Sequence, residues 1–133
     1  MRETAIVAAR VLLSWIFVVD GIEMVREFDA IGTYMEAHGV ARWLLPVVIV
    51  TVFGGGLLVA VGFLTRFAAA ALAGFCVLTA VIFHGDIANA GEWIQFNKDL
   101  AIAGGFLCLV AFGPGRISID EWRMRQGKEV TSP

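Results

Sequence analysis

The chain has 133 residues, of which 59% are hydrophobic and only 17% charged, and its mean hydropathy is +0.80. A soluble domain of this size has too much surface for its volume to hide so much apolar side chain, and the same figures exclude a disordered chain. A net charge of -2 lacks the basic surface that nucleic acid binding needs, so the chain is expected to be one small domain solvated in part by a lipid bilayer.

In chain order, the first apolar segment is the least clean. Arg10 and Asp20 bracket it, and a secretory signal peptide is the competing reading. No small-x-small cleavage pattern follows, and Asp20 and Glu23 sit where one would fall. A retained helix over residues 4–25 is therefore expected. Residues 26–42 then form an outer loop in which Phe28, Ile31 and Met35 recur at helical spacing and Gly39 marks a stop. A short amphipathic helix lying at the interface is predicted there.

Residues 43–65 carry no charge and supply the second span, at about the 20 residues that 30 Å of hydrocarbon requires. Arg66 ends it, and a third span covers 67–84. Little more than Leu64-Thr65-Arg66 joins the two, which makes an antiparallel hairpin. The second outer loop, 85–97, holds Trp93 and Phe96, and the fourth span covers 96–113, closed by Pro114 between two glycines. Residues 1–126 thus read as one all-α domain, an antiparallel four-helix transmembrane bundle, with 127–133 as a disordered tail.

Seven basic residues (Arg2, Arg10, Arg66, Arg116, Arg123, Arg125 and Lys128) fall on one side of this plan and three (Arg26, Arg42 and Lys98) on the other. The positive-inside rule then puts both termini in the cytoplasm. Small residues four apart, at Gly56/Ala60, Ala70/Gly74 and Ala101/Gly105, are expected at helix contacts and allow a homo-oligomer. Cys76 and Cys108 lie in apolar runs and read as buried small hydrophobes.

Ionisable groups at membrane depth are costly and are functional candidates by default. His84, Lys98, Asp99, Asp20 and Glu23 all fall at the outer ends of helices. His84 and Lys98 are suited to hydrogen-bonding a quinone carbonyl, and Asp20, Glu23 or Asp86 to fixing the His84 tautomer or passing protons. A plain interfacial ring of charges is the competing reading. At the cytoplasmic side Arg10, Arg66 and Asp120 read as structural, with Arg10 snorkelling to the boundary and Asp120 as its partner. His38 and His84 are the only histidines, and no HxxE, HxxH or CxxC spacing suggests a metal. No nucleophilic triad, GxGxxG or P-loop is present, so no cofactor motif is visible.

Ala9-Arg10 with Phe17 and Gly21, the run Gly62-Phe63-Leu64-Thr65-Arg66-Phe67-Ala68, His84, the run Phe96-Asn97-Lys98-Asp99-Leu100 and the closing Gly113-Pro114-Gly115-Arg116-Ile117-Ser118-Ile119-Asp120 form an ordered set. Together they resemble the DoxX family of small four-helix membrane proteins, over nearly the whole chain. Two departures are visible. Many members carry a lysine just after the first-helix glycine and a glutamate early in the second helix, whereas Gly21-Ile22-Glu23-Met24 has no lysine and Val50-Thr51-Val52-Phe53-Gly54 no charge. Joint loss is what a buried ion pair predicts, since one charge left alone is costly.

The resemblance implies a membrane subunit of an oxidoreductase system. Some members serve quinone-linked thiosulfate oxidation and others associate with oxidative-stress and thiol enzymes. The expectation is thus a multi-pass protein of the inner (plasma) membrane, a non-catalytic subunit that meets a quinone, or a soluble or membrane oxidoreductase subunit, through its outer polar end. A small transporter is the first alternative, weakened by the apolar middles of spans two to four, and an assembly or scaffold protein without chemistry of its own is the second. If the orientation holds, tags at both termini will be out of reach of a membrane-impermeant reagent applied to intact cells, and labelling of either would invert it.

Overall fold

The computed structural model describes residues 1–86 and 88–130, with side chains as far as 127. Among the described residues there is no strand. Four helical segments, Arg2–Arg26, Arg42–Val61, Thr65–Phe83 and Ala90–Phe112, are long and apolar enough to cross a membrane. They pack as an antiparallel bundle, and most of each apolar segment faces outward, as lipid-facing helices do.

α1 (Arg2–Arg26) runs the length of the bundle and is followed, after Glu27, by α2 (Phe28–Ala37). α2 is the predicted interfacial helix. It buries Met35 and lies across the bundle end, against α1 and the start of the second span. Arg42 latches it there through an ion pair with Asp29 and a position 6.0 Å over the Phe28 ring. Gly32 makes this crossing feasible, because a Cβ at that position would meet the Arg42 side chain at 2.9 Å.

The second span is segmented. A 3₁₀ turn (Arg42–Leu44) leads into α3 (Leu45–Ile49), with Pro46 in the first turn where its missing N–H costs nothing. A π-helical turn (Val50–Gly54) follows, then α4 (Gly55–Val61). The widened turn sets the register of the glycines after it. Gly55 faces Leu72 of the next span and Gly56 faces Phe17 and Val18 of α1, so one segment touches both neighbours closely. Phe53, within the π turn, sits on Gly21 of α1, where a Cβ would come within 2.5 Å of the Phe53 Cβ.

α5 (Thr65–Phe83) and α6 (Ala90–Phe112) form the most extensive helix pair. The core is Phe17, Val52, Val59, Leu72, Cys76, Phe106 and Leu109 with the alanines between them, and Phe17 meets Phe106 edge-to-face at 5.2 Å. α7 (Ile119–Val130) lies beyond the fourth span.

Several expectations are corrected. The fourth span begins at Ala90 rather than 96, because the Asn89 side chain accepts from the Gly91 and Glu92 amides and starts the helix early. Trp93 and Phe96 are therefore stacked in its first turns (5.8 Å) rather than in a loop. Helix α7 continues through 130, past the expected start of disorder at 127, and 131–133 lie outside the described residues. Ala70 and Gly74 face outward, with open space beside Gly74, so α5 makes its contacts through Ala68, Ala69, Leu72, Ala73 and Cys76 instead. Cys76 is buried but Cys108 is exposed.

Arg10 is the largest correction, because it does not snorkel. Only 4% of it is exposed, and its guanidinium donates to the carbonyls of Ala60 (3.2 Å), Pro114 (2.8 Å) and Ile117 (2.9 Å). Asp120 is not its hydrogen-bond partner. That carboxylate accepts from the Leu64 and Thr65 amides at 2.8 and 3.0 Å and from the Thr65 hydroxyl at 2.9 Å, capping α5. Gly62 is required on two counts. Its φ is +74°, and a Cβ there would lie 2.6 Å from Arg10 Nη1.

Gly21 is tightly packed and Gly74 faces open space, which makes them a paired test. Gly21→Ala should lower the thermal midpoint in detergent, by about 1–3 kcal/mol of stability, because α1 must move off Phe53. Gly74→Ala, with nothing within 4 Å, should be neutral or slightly stabilising.

Candidate functional site

The bundle has two polar ends. One holds both termini and the Arg10 and Asp120 contacts. The other, beneath α2, holds the sequence-predicted site residues. Asp20 and Glu23 are one helical turn apart near the end of α1. Asp20 is half-buried and within electrostatic range of Glu23 on its own helix and of Asp99 and Lys98 on α6. Glu23 and Lys98 are exposed, and Lys98 Nζ donates to Gln95 Oε1 at 2.5 Å.

Asp99 is half-buried against α5, with Oδ2 3.2 Å from the Thr79 hydroxyl. The same hydroxyl lies 3.0 Å from the carbonyls of Phe75 and Cys76. One proton cannot serve three acceptors. The Asp99 carboxylate therefore competes with the two backbone carbonyls for the Thr79 proton.

His84 terminates α5, where its amide donates to the Ala80 carbonyl. Its ring is half-buried, and Nδ1 lies 2.6 Å from Glu92 Oε2. An ionised carboxylate only accepts, so Nδ1 carries the proton. Nε2 has no partner among the described residues, and Asp99 is within electrostatic range. Glu92, which the sequence reading left out, is thus the group that orients His84. Asp86 instead accepts from the Ala88 amide in the connecting turn. The signal for Glu92 was present in Asn89-Ala90-Gly91-Glu92, a helix-start pattern that places an acid in the first turn of α6. Its side chain leaves the usual capping role and crosses to His84.

An aromatic cluster roofs this end. Tyr34 of α2 stacks on Phe83 of α5 (5.5 Å, 21°), and His38 packs on both rings at 4.4 and 5.2 Å. His38 donates through Nδ1 to the Tyr34 carbonyl at 2.9 Å. Among the described residues no group of three or more His, Cys, Asp or Glu side chains could hold a metal ion.

A four-span helical bundle with an interfacial helix over one polar end, and a Gly-Pro-Gly loop closed on a buried arginine at the other, defines a small multi-pass membrane protein. The model of the DoxX family matches residues 5–85, and the chain belongs to that family. It is 42% identical over 120 residues to inner membrane protein YqjF of Escherichia coli (strain K12), covering 90% of this chain and 92% of that one. It is 34% identical over 127 residues to inner membrane protein YphA of the same organism, covering 90% of each. No solved structure matches the chain.

Tyr34 is the sole tyrosine of the chain and reports on this end. Burial, and then the Glu92 carboxylate, hold its phenol above the ordinary value near 10. The folded state binds that proton more tightly than the unfolded chain. The stabilisation is therefore present at neutral pH and lost as pH rises through the folded value. Absorbance titration in detergent should show Tyr34 ionising late, and Glu92→Gln should bring it partly back.

Proposed function

We propose that this protein is a membrane subunit of a quinone- or thiol-linked oxidoreductase system in a bacterial-type inner membrane. Its termini would face the cytoplasm, and its α2-covered end would be the working site. The inner-membrane assignment rests on the names of its two Escherichia coli relatives together with the four spans. The orientation rests on the seven-to-three distribution of basic residues.

The observation that carries the reading is His84. Its Nδ1 is tied to Glu92, and among the described residues Nε2 has no partner, with the half-buried carboxylate of Asp99 within electrostatic range. An imidazole held in one tautomer can accept a hydrogen bond at Nε2 when neutral and donate one when protonated. It thus suits a carbonyl oxygen that becomes a hydroxyl, as a quinone head group does on reduction. Glu92 would stabilise the imidazolium while a proton passes. Asp20, six residues from the end of α1, and Asp99, which the early start of α6 places nine residues inside that helix, would connect the site to exposed Lys98 and Glu23, which meet solvent and partners. No cofactor motif accompanies these groups, so the electrons would come from a partner subunit.

The test is a quinone-binding or quinone-dependent activity measurement in membranes. His84→Ala should weaken it by an order of magnitude or more, since a hydrogen bond to a buried polar atom would be left unmade. Lys98→Ala, already exposed and held by Gln95, should have the smaller effect. Unchanged values in both variants, with intact folding, would remove the site.

A further inference from the structure

At the end that holds the termini, a groove of about 920 Å³ runs between the start of α1, the start of α5, the 113–116 loop and α7. Its chemistry is not that of the α2-covered end. Arg2, Arg66, Arg116 and Arg123 line it, all four exposed. None of them makes an ion pair among the described residues. The Arg66 guanidinium lies alongside Gly113, where a Cβ would sit 3.5 Å from Nε and Nη2. Arg123 lies over the Phe63 ring at 5.4 Å.

The carboxylates of the same groove are already engaged. Glu3 accepts from the Arg116 amide at 2.6 Å, Asp120 caps α5 and Glu121 accepts from Arg125 at 3.2 Å. Amide hydrogen bonds do not cancel the charge of Glu3 and Asp120, but four guanidinium groups line the groove against three carboxylates, one of which is paired with Arg125, so the balance there is positive. One wall is apolar, and its rings face outward: Phe67 is 79% exposed and Phe112 71%. Both rings belong to membrane-spanning helices, at the ends nearest the arginines.

An exposed apolar wall that continues into a cluster of unpaired guanidinium groups matches one kind of molecule, an anion with a hydrocarbon tail. Guanidinium forks suit phosphate oxygens, which accept two parallel hydrogen bonds. Basic pockets at the ends of membrane helices favour anionic head groups. We propose that this groove binds an anionic phospholipid, its phosphodiester held by Arg66 and Arg116 and an acyl chain laid against Phe67 and Phe112. This site is separate from the proposed quinone end and does not depend on that reading.

The full-length protein in a nonionic detergent is titrated with phosphatidylglycerol, with phosphatidylcholine of the same acyl chains, and with inorganic phosphate. Lipid adducts are followed by native mass spectrometry and stability by thermal midpoint. Phosphatidylglycerol should bind and raise the midpoint, whereas phosphatidylcholine and phosphate alone should not. The double variant Arg66→Gln, Arg116→Gln should bind phosphatidylglycerol about thirtyfold more weakly, and Arg26→Gln, at the opposite end, should bind as the parent does.

If the double variant does not fold, Arg66→Lys with Arg116→Lys is measured in its place. It retains charge but loses the planar fork, and a several-fold weakening is expected. Equal binding of the two lipids would overturn the proposal. So would full stabilisation by inorganic phosphate, unchanged affinity in the arginine variants, or an equal loss in Arg26→Gln.

Discussion

A single guanidinium organises one end of this bundle. Arg10 sits about 12 Å along α1 from its start, at eight residues and 1.5 Å each, and it is almost fully buried. A charge at that depth is tolerated only when its hydrogen bonds are met by protein. Its partners come from three separate places in the chain: Ala60 at the end of the second span, Pro114 in the Gly-Pro-Gly loop and Ile117 beyond it. Those carbonyls stand where helices end and have no helical donor of their own. Arg10 supplies what the helix ends lack, and they engage both of its terminal nitrogens, Nη1 and Nη2, while the buried Nε has no partner among the described residues.

Asp120 mirrors this with the opposite sign. Its carboxylate meets the free amides at the start of α5, where Leu64 holds a left-handed φ of 47° and leaves those groups pointing at the α7 side. The backbone closes the same junction, since the Asp120 amide donates to the Gly62 carbonyl at 2.9 Å. Arg10 and Asp120 thus tie the hairpin, the closing loop and α7 to α1 without forming a direct hydrogen bond to each other. Removing either would leave several backbone groups unpaired at once.

This junction gathers segments that are far apart in the chain, two of them within the residues 5–85 that the DoxX family model matches. Ala9-Arg10, the Gly62 to Thr65 turn, and the Gly113 to Asp120 segment are remote in sequence and converge on one junction. Those motifs are largely architectural. The proposed quinone site lies at the other end, where His84 pairs with Glu92 and Thr79 with Asp99 beneath an aromatic roof. The segregation suits a membrane protein: the apolar middle supplies packing, and ionisable groups concentrate at the ends where their solvation is cheaper. The π turn at 50–54 is uncharged, and Phe53 fills the approach to Gly21.

Hydropathy alone determined the membrane class, the four spans and the interfacial α2, because bilayer thickness and the need to pair every backbone group leave few alternatives for a chain this apolar. The polar residues at the helix ends were legible for the same reason. Which of them touch was not, because contact depends on helix rotation and on where each helix starts. Asn89 starts α6 six residues early and swings Glu92 to His84, and the π turn rotates Gly55 and Gly56 toward different neighbours. Sequence spacing orders residues along one helix, but the pairing of Arg10 with three distant carbonyls spans separations of 50 to 107 residues. Only the folded backbone, with every end group seeking a partner, decides such contacts.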